Sequence, residues 1–360
     1  MKVAHINAGN EYGGGLVHIV SLLEKMNAKQ PVAELLLMEE GPVAKAAREK
    51  GIPVKVFEQQ SRYDLLVLKR LLSYVNEEGF SILHSHGPRA NMLMKLLQPL
   101  IKAKWVATVH SHPLLDFKER GFFGRVFEKV NTSSLLRADG LIAVSEEIRD
   151  VLIELGCQAD RVCTIHNGID FKDPISGHLQ TEKLTLIMIG RLHPIKNFAL
   201  ALEVLSQWEQ TNWQLLICGE GQEKTELQQL AVSYGLSDQV CFLGWLNSRE
   251  LKMRVHQSDL MIHPSLSESF PLVLLEAAEQ QVPVIATDVG DVRCLLSRKD
   301  LGWLISPADS ASLLEALEAA YIDWQSGELK QKGERLRKQG QQFSLTAQVD
   351  QVRSFYEQLN

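Results

Sequence analysis

Cysteine is scarce and scattered: Cys157, Cys163, Cys218, Cys241 and Cys294 are odd in number and nowhere form a C-x-x-C pair. That pattern suggests neither a disulfide framework nor a zinc site, and leaves most of the cysteines as small buried hydrophobes in or beside strands. Long apolar runs are missing too, with no stretch of about 18 apolar residues to cross a bilayer. The opening MKVAHINAGNEYGGG reaches polar residues and glycines too soon for a signal peptide. These absences place the protein in the cytoplasm. Net positive charge is the third absence: a formal charge of −6 gives no global reason to bind nucleic acid, so any anionic partner must be met by a local basic patch.

What is present is a globular composition and enough chain for two domains. Short apolar runs (KVAHINA, AELLLM, FSILHSH, KWVATVH, GLIAVS, RVCTIH) alternate with helix-like segments in the first half, and LTLIMIG, WQLLICG, QVCFLGW, DLMIHPS and VPVIATD repeat the alternation in the second. Strands separated by helices call for parallel βαβ units, hence an α/β chain with two doubly wound sheets. The polar stretch KDPISGHLQTEK, with Pro174 and Gly177, reads as the linker. The boundaries expected are 1–175, 176–340, and a last helix at 341–360 that packs back on the first domain. After Asp309 the pattern predicts surface helices and no further strand.

Ligands of such sheets bind beyond the carboxyl ends of the strands, and the chemistry-bearing residues follow the strand runs. Gly13, Gly14 and Gly15 end the first loop and open a helix, where glycines let a backbone approach a phosphate or sugar; a tight turn explains them as well. HSHG (His84, His86) and VHSH (His110, His112) can ligate a metal, but without acidic or cysteine company they read as hydrogen-bonding groups, and no metal site is assigned. His110 directly follows WVATV, placed to meet a substrate hydroxyl. In IGRLHPIKN, Arg191 and Lys196 offer a fork and a point charge suited to a diphosphate, although a loop Arg and Lys are usually solvated surface. Gly219 and Glu220 in CGEGQEK, and Gly244 in FLGW, permit close backbone approach or simple turns. In HPSLSESFPLVLLEAAEQQVPVIATDVGD, Pro271 opens a helix with Glu276 one to two turns inside and Glu268 in the loop ahead. A glycosidase-type carboxylate pair fits poorly, because the helical turns separate the two along the axis.

Taken together these residues resemble the GT-B fold retaining glycosyltransferases of family four, through GGGLVHIVSLL, ATVHSH, LIAVSEEIRDVLIELG, IHNGID, IGRLHPIKN, CGEGQEK, FLGW and ESFPLVLLEAAEQQVPVIATDVGDV. The resemblance implies a nucleotide-sugar donor, UDP-linked, held mainly by the second domain and an acceptor held mainly by the first. It places Glu268 near the donor sugar's hydroxyls and Glu276 on the ribose. Arg191 and Lys196 neutralise the leaving diphosphate, helped by backbone amides in the stretch Ser269, Phe270, Pro271 and Leu272. His110 sits near the sugar's C6 hydroxyl, Gly14 and Gly15 close over the diphosphate, and Asn167, Gly219 and Glu220 stand on the donor side.

The implied reaction is transfer of a hexose or N-acetylhexosamine to a cell-surface glycan or lipid-linked acceptor, with the anomeric configuration kept and no metal required. A soluble acceptor, or a catalytically idle nucleotide-sugar-binding subunit, is the alternative. Where the family often reads Gly-Gly-x-x-Glu this chain has GDVRC, with Asp291 and Cys294 at the departing positions. Residues 117–137 mix Phe117, Phe122, Phe123 and Phe127 with Lys118, Arg120, Arg125, Lys129 and Arg137. This suits an anionic membrane surface, or else Phe123 and Phe127 form the buried face of an ordinary helix.

Overall fold

In both sheets the strand order reverses beside the first strand, and that reversal decides where the polar residues gather. The computed structural model describes every residue except 31, 60–63, 65, 115–120, 176–181 and 360, and only the backbone of 122 and 123. Its contacts divide the chain into two units, Met1–Gly168 with Leu345–Asn360, and Ile169–Ser344. The boundary read at residue 176 lies outside the described residues. Residues 169–175 group with the second unit, where Ile169 pairs with Ser344 in a parallel bridge and Lys172 N–H donates to Glu279 Oε1 at 2.9 Å.

The first unit holds β1 (Val3–Asn7), β2 (Ala33–Leu37), β3 (Val54–Val56), β4 (Ile82–His86), β5 (Lys104–Val109), β6 (Gly140–Ala143) and β7 (Val162–Thr164) in the order β3-β2-β1-β4-β5-β6-β7, all parallel. Helices α1 (Gly14–Asn27), α2 (Pro42–Glu49), α3 (Leu66–Glu78), α4 (Pro88–Leu97), α5 (Gly121–Leu135) and α6 (Glu146–Glu154) alternate with them. Strands covered on both faces read as continuous apolar runs, and β1, β4 and β6 are buried at every residue. β3 escaped the sequence reading because it has three residues, with Lys55 exposed, at the sheet edge.

The second unit holds β8 (Leu184–Ile189), α7 (Phe198–Gln207), β9 (Trp213–Cys218), α8 (Lys224–Ser233), β10 (Val240–Gly244), α9 (Ser248–His256), β11 (Leu260–His263), α10 (Leu272–Glu279), β12 (Val284–Thr287), α11 (Val292–Leu295) and β13 (Gly302–Ile305), with sheet order β10-β9-β8-β11-β12-β13. β13, the short run GWLI, was also missed, its Trp and Leu being only half-buried at an edge. The helices after Asp309 are more than surface cover. In α12 (Ser310–Ser326), Leu313, Leu317 and Ala320 enter the core beside α7 residues, and in α13 (Glu328–Gly340) Leu336 is buried against α10 residues. The last helix, α14 (Leu345–Leu359), returns to the first unit, burying Val349, Val352, Phe355 and Tyr356. Its first residue is Leu345, because the 3-10 turn Gln341–Phe343 before it belongs to the second unit and Phe343 packs on Phe270 there. All five cysteines are free, Cys157 and Cys218 buried and Cys241 exposed. Among the described residues no helix is long and apolar enough to cross a membrane.

Candidate active site

β8 and β11 lie side by side at the reversal of the second sheet, pairing Leu186 with Leu260 and Ile187 with Met261. The loops leaving their carboxyl ends therefore meet. After β8 the chain makes a 3-10 turn, Pro194–Lys196, capped by His193 Nδ1 accepting from Ile195 N–H at 3.3 Å, and Leu266 N–H donates to Ile195 O at 2.8 Å from the loop after β11. The juxtaposition brings Lys196 Nζ onto Glu268 Oε1 in an ion pair. The same oxygen lies 3.0 Å from His263 Nε2, which also contacts Ser265 Oγ at 3.2 Å.

Burial by itself would raise the pKa of Glu268. The hydrogen bond and charge of His263 and the charge of Lys196 outweigh it and bring the group down to about 2, so this carboxylate stays ionised throughout the physiological range. An ionised carboxylate accepts hydrogen bonds only, which suits hydroxyl donors and makes it useless as a general acid near neutrality.

Glu276 sits on the second turn of α10 in the opposite condition. Burial, with the neighbouring Glu279 carboxylate, pushes its pKa up to about 7, and its Oε2 is buried with no hydrogen-bond partner among the described residues. A buried carboxylate oxygen of this kind is an acceptor waiting for a donor. Ahead of it, Pro271 caps α10 in an extended conformation, so the amides around Leu272 form the open first turn that favours anions. Phe270 contributes only backbone there: its ring is buried and packs on Phe343 at 4.8 Å between centroids.

Arg191 is exposed and forms no hydrogen bond or ion pair among the described residues. Glu220 is also exposed and pairs with Lys224 at 2.7 Å, one helical turn away. Gly219, at φ +147°, has a reason of its own: a Cβ there would stand 1.8 Å from Gly190 O on the adjacent strand end. The GDVRC departure is tolerated for a backbone reason. Gly290 keeps the left-handed φ of +52° and the clearance over Glu268 O, while Asp291 takes φ −98° and donates its N–H to Ser269 O at 2.9 Å, so a second glycine is not needed.

In the first unit, Gly14 opens α1 with no described atom within 4 Å of an added Cβ, whereas a Cβ on Gly15 would come 2.7 Å from Glu11 Oε2. His110 lines a cavity of about 180 Å³ with Glu11, Tyr12, Thr108, Asn91 and Asn131. Burial raises the pKa of Glu11, opposed by a hydrogen bond from Asn7. His112, read as a pair with His110, stays outside; its Nδ1 accepts from Leu114 N–H at 3.3 Å. His110 instead joins His5, His18, His84 and His86, and Asn167 bonds to His18, whose pKa burial lowers to about 4. The nitrogens of His18, His86 and His110 come within 4.8 Å of one another, close enough to ligate an ion.

Residues 12–173 match the family model of the "Glycosyltransferase Family 4" proteins, and residues 171–343 match that of the "Glycosyl transferases group 1". The chain belongs to the GT-B glycosyltransferases. This glycosyltransferase is 27% identical to the phosphatidyl-myo-inositol mannosyltransferase of Mycobacterium leprae over 85% of its own length and 83% of the relative's. It is 24% identical, over 99% of itself and 96% of the relative, to the UDP-Gal:alpha-D-GlcNAc-diphosphoundecaprenol alpha-1,3-galactosyltransferase of Escherichia coli. In fold it is similar to Anabaena HepE in complex with UDP, with a TM-score of 0.86 at 20% identity, covering 99% of this chain and 100% of that one.

Sequence reasoning passed over several residues of this glycosyltransferase. His263 was inside the quoted stretch, and its signal was a histidine ending a strand five residues before Glu268. Glu11 stood in the glycine loop itself. His5 and His18 gave none, being single histidines on an apolar strand and an apolar helix face.

Proposed function

We propose that the chain transfers a hexose or N-acetylhexosamine from a UDP-sugar to a lipid-linked or glycan acceptor with retention of anomeric configuration and without a metal ion. The observation that carries this reading is the contact of Lys196 with Glu268 at the mouth of α10, with Arg191 on the same loop as Lys196. A departing diphosphate meets a fork, a point charge and helix amides, which stabilise charge as it develops and need no reorganisation at that moment. Glu268 holds sugar hydroxyls and Glu276, with its orphan oxygen, takes a ribose hydroxyl. Within the second unit, Gly219 and Glu220 stand on the donor side; within the first, His110, Gly14, Gly15 and Asn167 are groups suited to hydrogen bonding and close backbone approach. With no protein nucleophile assigned, the leaving phosphate takes the acceptor's proton.

The named relatives support the acceptor class: one acts on a phosphatidylinositol, the other on an undecaprenol-linked sugar. The exposure of Arg125, Val126, Phe127 and Lys129 on α5, followed by exposed Leu136 and Arg137, supports a surface for such acceptors there. Phe127, at 40% exposure, does not belong to a buried helix face. Phe117, Lys118 and Arg120 lie outside the described residues, as do the side chains of Phe122 and Phe123.

The test is incubation of the full chain with a panel of UDP-sugars and lipid-linked acceptors in excess EDTA, with the product's anomeric configuration read by NMR. A product with the donor's configuration, formed in EDTA, is expected. Inversion, a requirement for a divalent ion, or UDP-sugar binding without turnover contradicts the reading.

A further inference from the structure

Glu268 Oε1 is held by supports of different stiffness. Lys196 Nζ reaches it on a long side chain, 20% exposed, that rises from the turn Pro194–Lys196. His263 Nε2 reaches it at 3.0 Å from the last residue of β11, a ring 1% exposed on a strand flanked by β8 and β12. The backbone beneath that ring is fixed: His263 is in register with Ala286, and the buried Thr287 hydroxyl donates to Ser265 O at 2.5 Å. Glu268 is confined from the other side, where a Cβ on Gly290 would stand 2.1 Å from its carbonyl oxygen and Asp291 N–H donates to Ser269 O at 2.9 Å. A lysine arm samples many rotamers and a buried ring on a central strand few, so the imidazole is the support that sets where the carboxylate points.

The direction of the histidine bond follows from its partner. A carboxylate paired with Lys196 is ionised and can only accept, so His263 Nε2 carries a proton and donates it to Glu268. Ser265 Oγ, 3.2 Å from the same nitrogen, stands beside that N–H. In the proposed reaction the diphosphate takes Lys196, and the His263 bond is the one that stays on Oε1.

We propose that His263 is the positioning residue of Glu268, its Nε2–H keeping the carboxylate aimed at the donor sugar's hydroxyls once the diphosphate has claimed Lys196. What Glu268 holds rests on the proposed sugar transfer; the bond between the two side chains stands without it. The consequence is a division of labour in donor recognition. UDP alone engages Lys196 and makes no use of His263, whereas a UDP-sugar needs the aimed carboxylate as well.

Calorimetric titration of the full chain with UDP, UDP-glucose, UDP-galactose and UDP-N-acetylglucosamine compares the parent with His263→Leu and His263→Gln. His263→Leu is expected to bind UDP as the parent does and to lose about tenfold in affinity for the UDP-sugar the parent prefers, the scale of one hydrogen bond to a charged group. His263→Gln, whose amide N–H can take the place of Nε2–H, is expected to restore most of that loss. Unchanged UDP-sugar affinity in His263→Leu, or equal weakening of UDP and UDP-sugar in a variant that melts like the parent, overturns the proposal.

A second measurement leaves the ring in place and so does not depend on the leucine variant folding. Long-range 1H–15N correlation on the chain labelled with 15N-histidine is expected to show the His263 proton on Nε2 in the free chain, with UDP bound, and in Lys196→Ala, where the carboxylate has lost its lysine. A bare Nε2 at His263 in any of the three overturns the proposal. A chain that binds no UDP would defeat the proposed function, and the Lys196→Ala spectrum would still decide whether His263 holds Glu268.

Discussion

Lys196 and Glu268, 72 residues apart in sequence, form an ion pair in which each side chain compensates the other's charge. On the proposed function, a diphosphate bound there is expected to draw Lys196 partly away from Glu268, and Arg191 is a cation on that loop with no partner among the described residues. On that reading the pair would couple the phosphate end of the donor to the sugar end, since the carboxylate released from Lys196 is the one proposed to hold sugar hydroxyls.

Lys196→Ala is expected to lower transfer by about 10²–10³-fold, the usual effect of deleting one preorganised group that stabilises developing charge. Steady-state kinetics with a melting curve as a folding control checks this. A variant that melts like the parent and keeps its kcat would show that Lys196 does not meet the leaving group.

Glu276 predicts a pH dependence with a definite sign. Its folded pKa, about 7 against an ordinary 4.5, is raised, so the folded chain holds a proton the unfolded chain has lost between those values. Stability from this group is full below about 4.5 and is lost as pH rises through 7. Glu276→Gln is expected to melt above the parent at pH 8, with the difference closing near pH 5. Glu268, held at about 2, contributes in the opposite sense and only in acid, so it does not mask the effect. Equal melting temperatures at pH 8 would contradict it.

The alternation of apolar runs and helices made both sheets legible, because strands covered on both faces must be apolar throughout. The edge strands β3 and β13 were too short and too exposed to stand out. Lys196 and Glu268 were each legible as residues following a strand. Their contact was not, since it depends on β8 and β11 being neighbours at the sheet reversal. His110 was legible for the same reason as Lys196. The His5–His86 contact was hidden because a histidine in a buried strand has no sequence period of its own; only the register of β1 with β4 reveals it.

The exposed residues of α5 predict salt-sensitive membrane binding. Each basic side chain near an anionic surface is worth about 1 kcal/mol and is screened by salt. The full chain is expected to co-sediment with vesicles containing phosphatidylserine at low ionic strength and to be released at high salt. Arg125→Glu with Lys129→Glu should abolish co-sedimentation while UDP affinity stays unchanged. Binding equal to that of neutral vesicles, or unaffected by the charge reversal, would remove α5 from the acceptor surface.

The crystal structure of the full chain with UDP is the most direct test of the account. The diphosphate is expected within hydrogen-bonding distance of Arg191, Lys196 and the first amides of α10, with a ribose hydroxyl on Glu276 Oε2. UDP bound elsewhere, or bound here with Lys196 still held on Glu268 and Glu276 untouched, would contradict it.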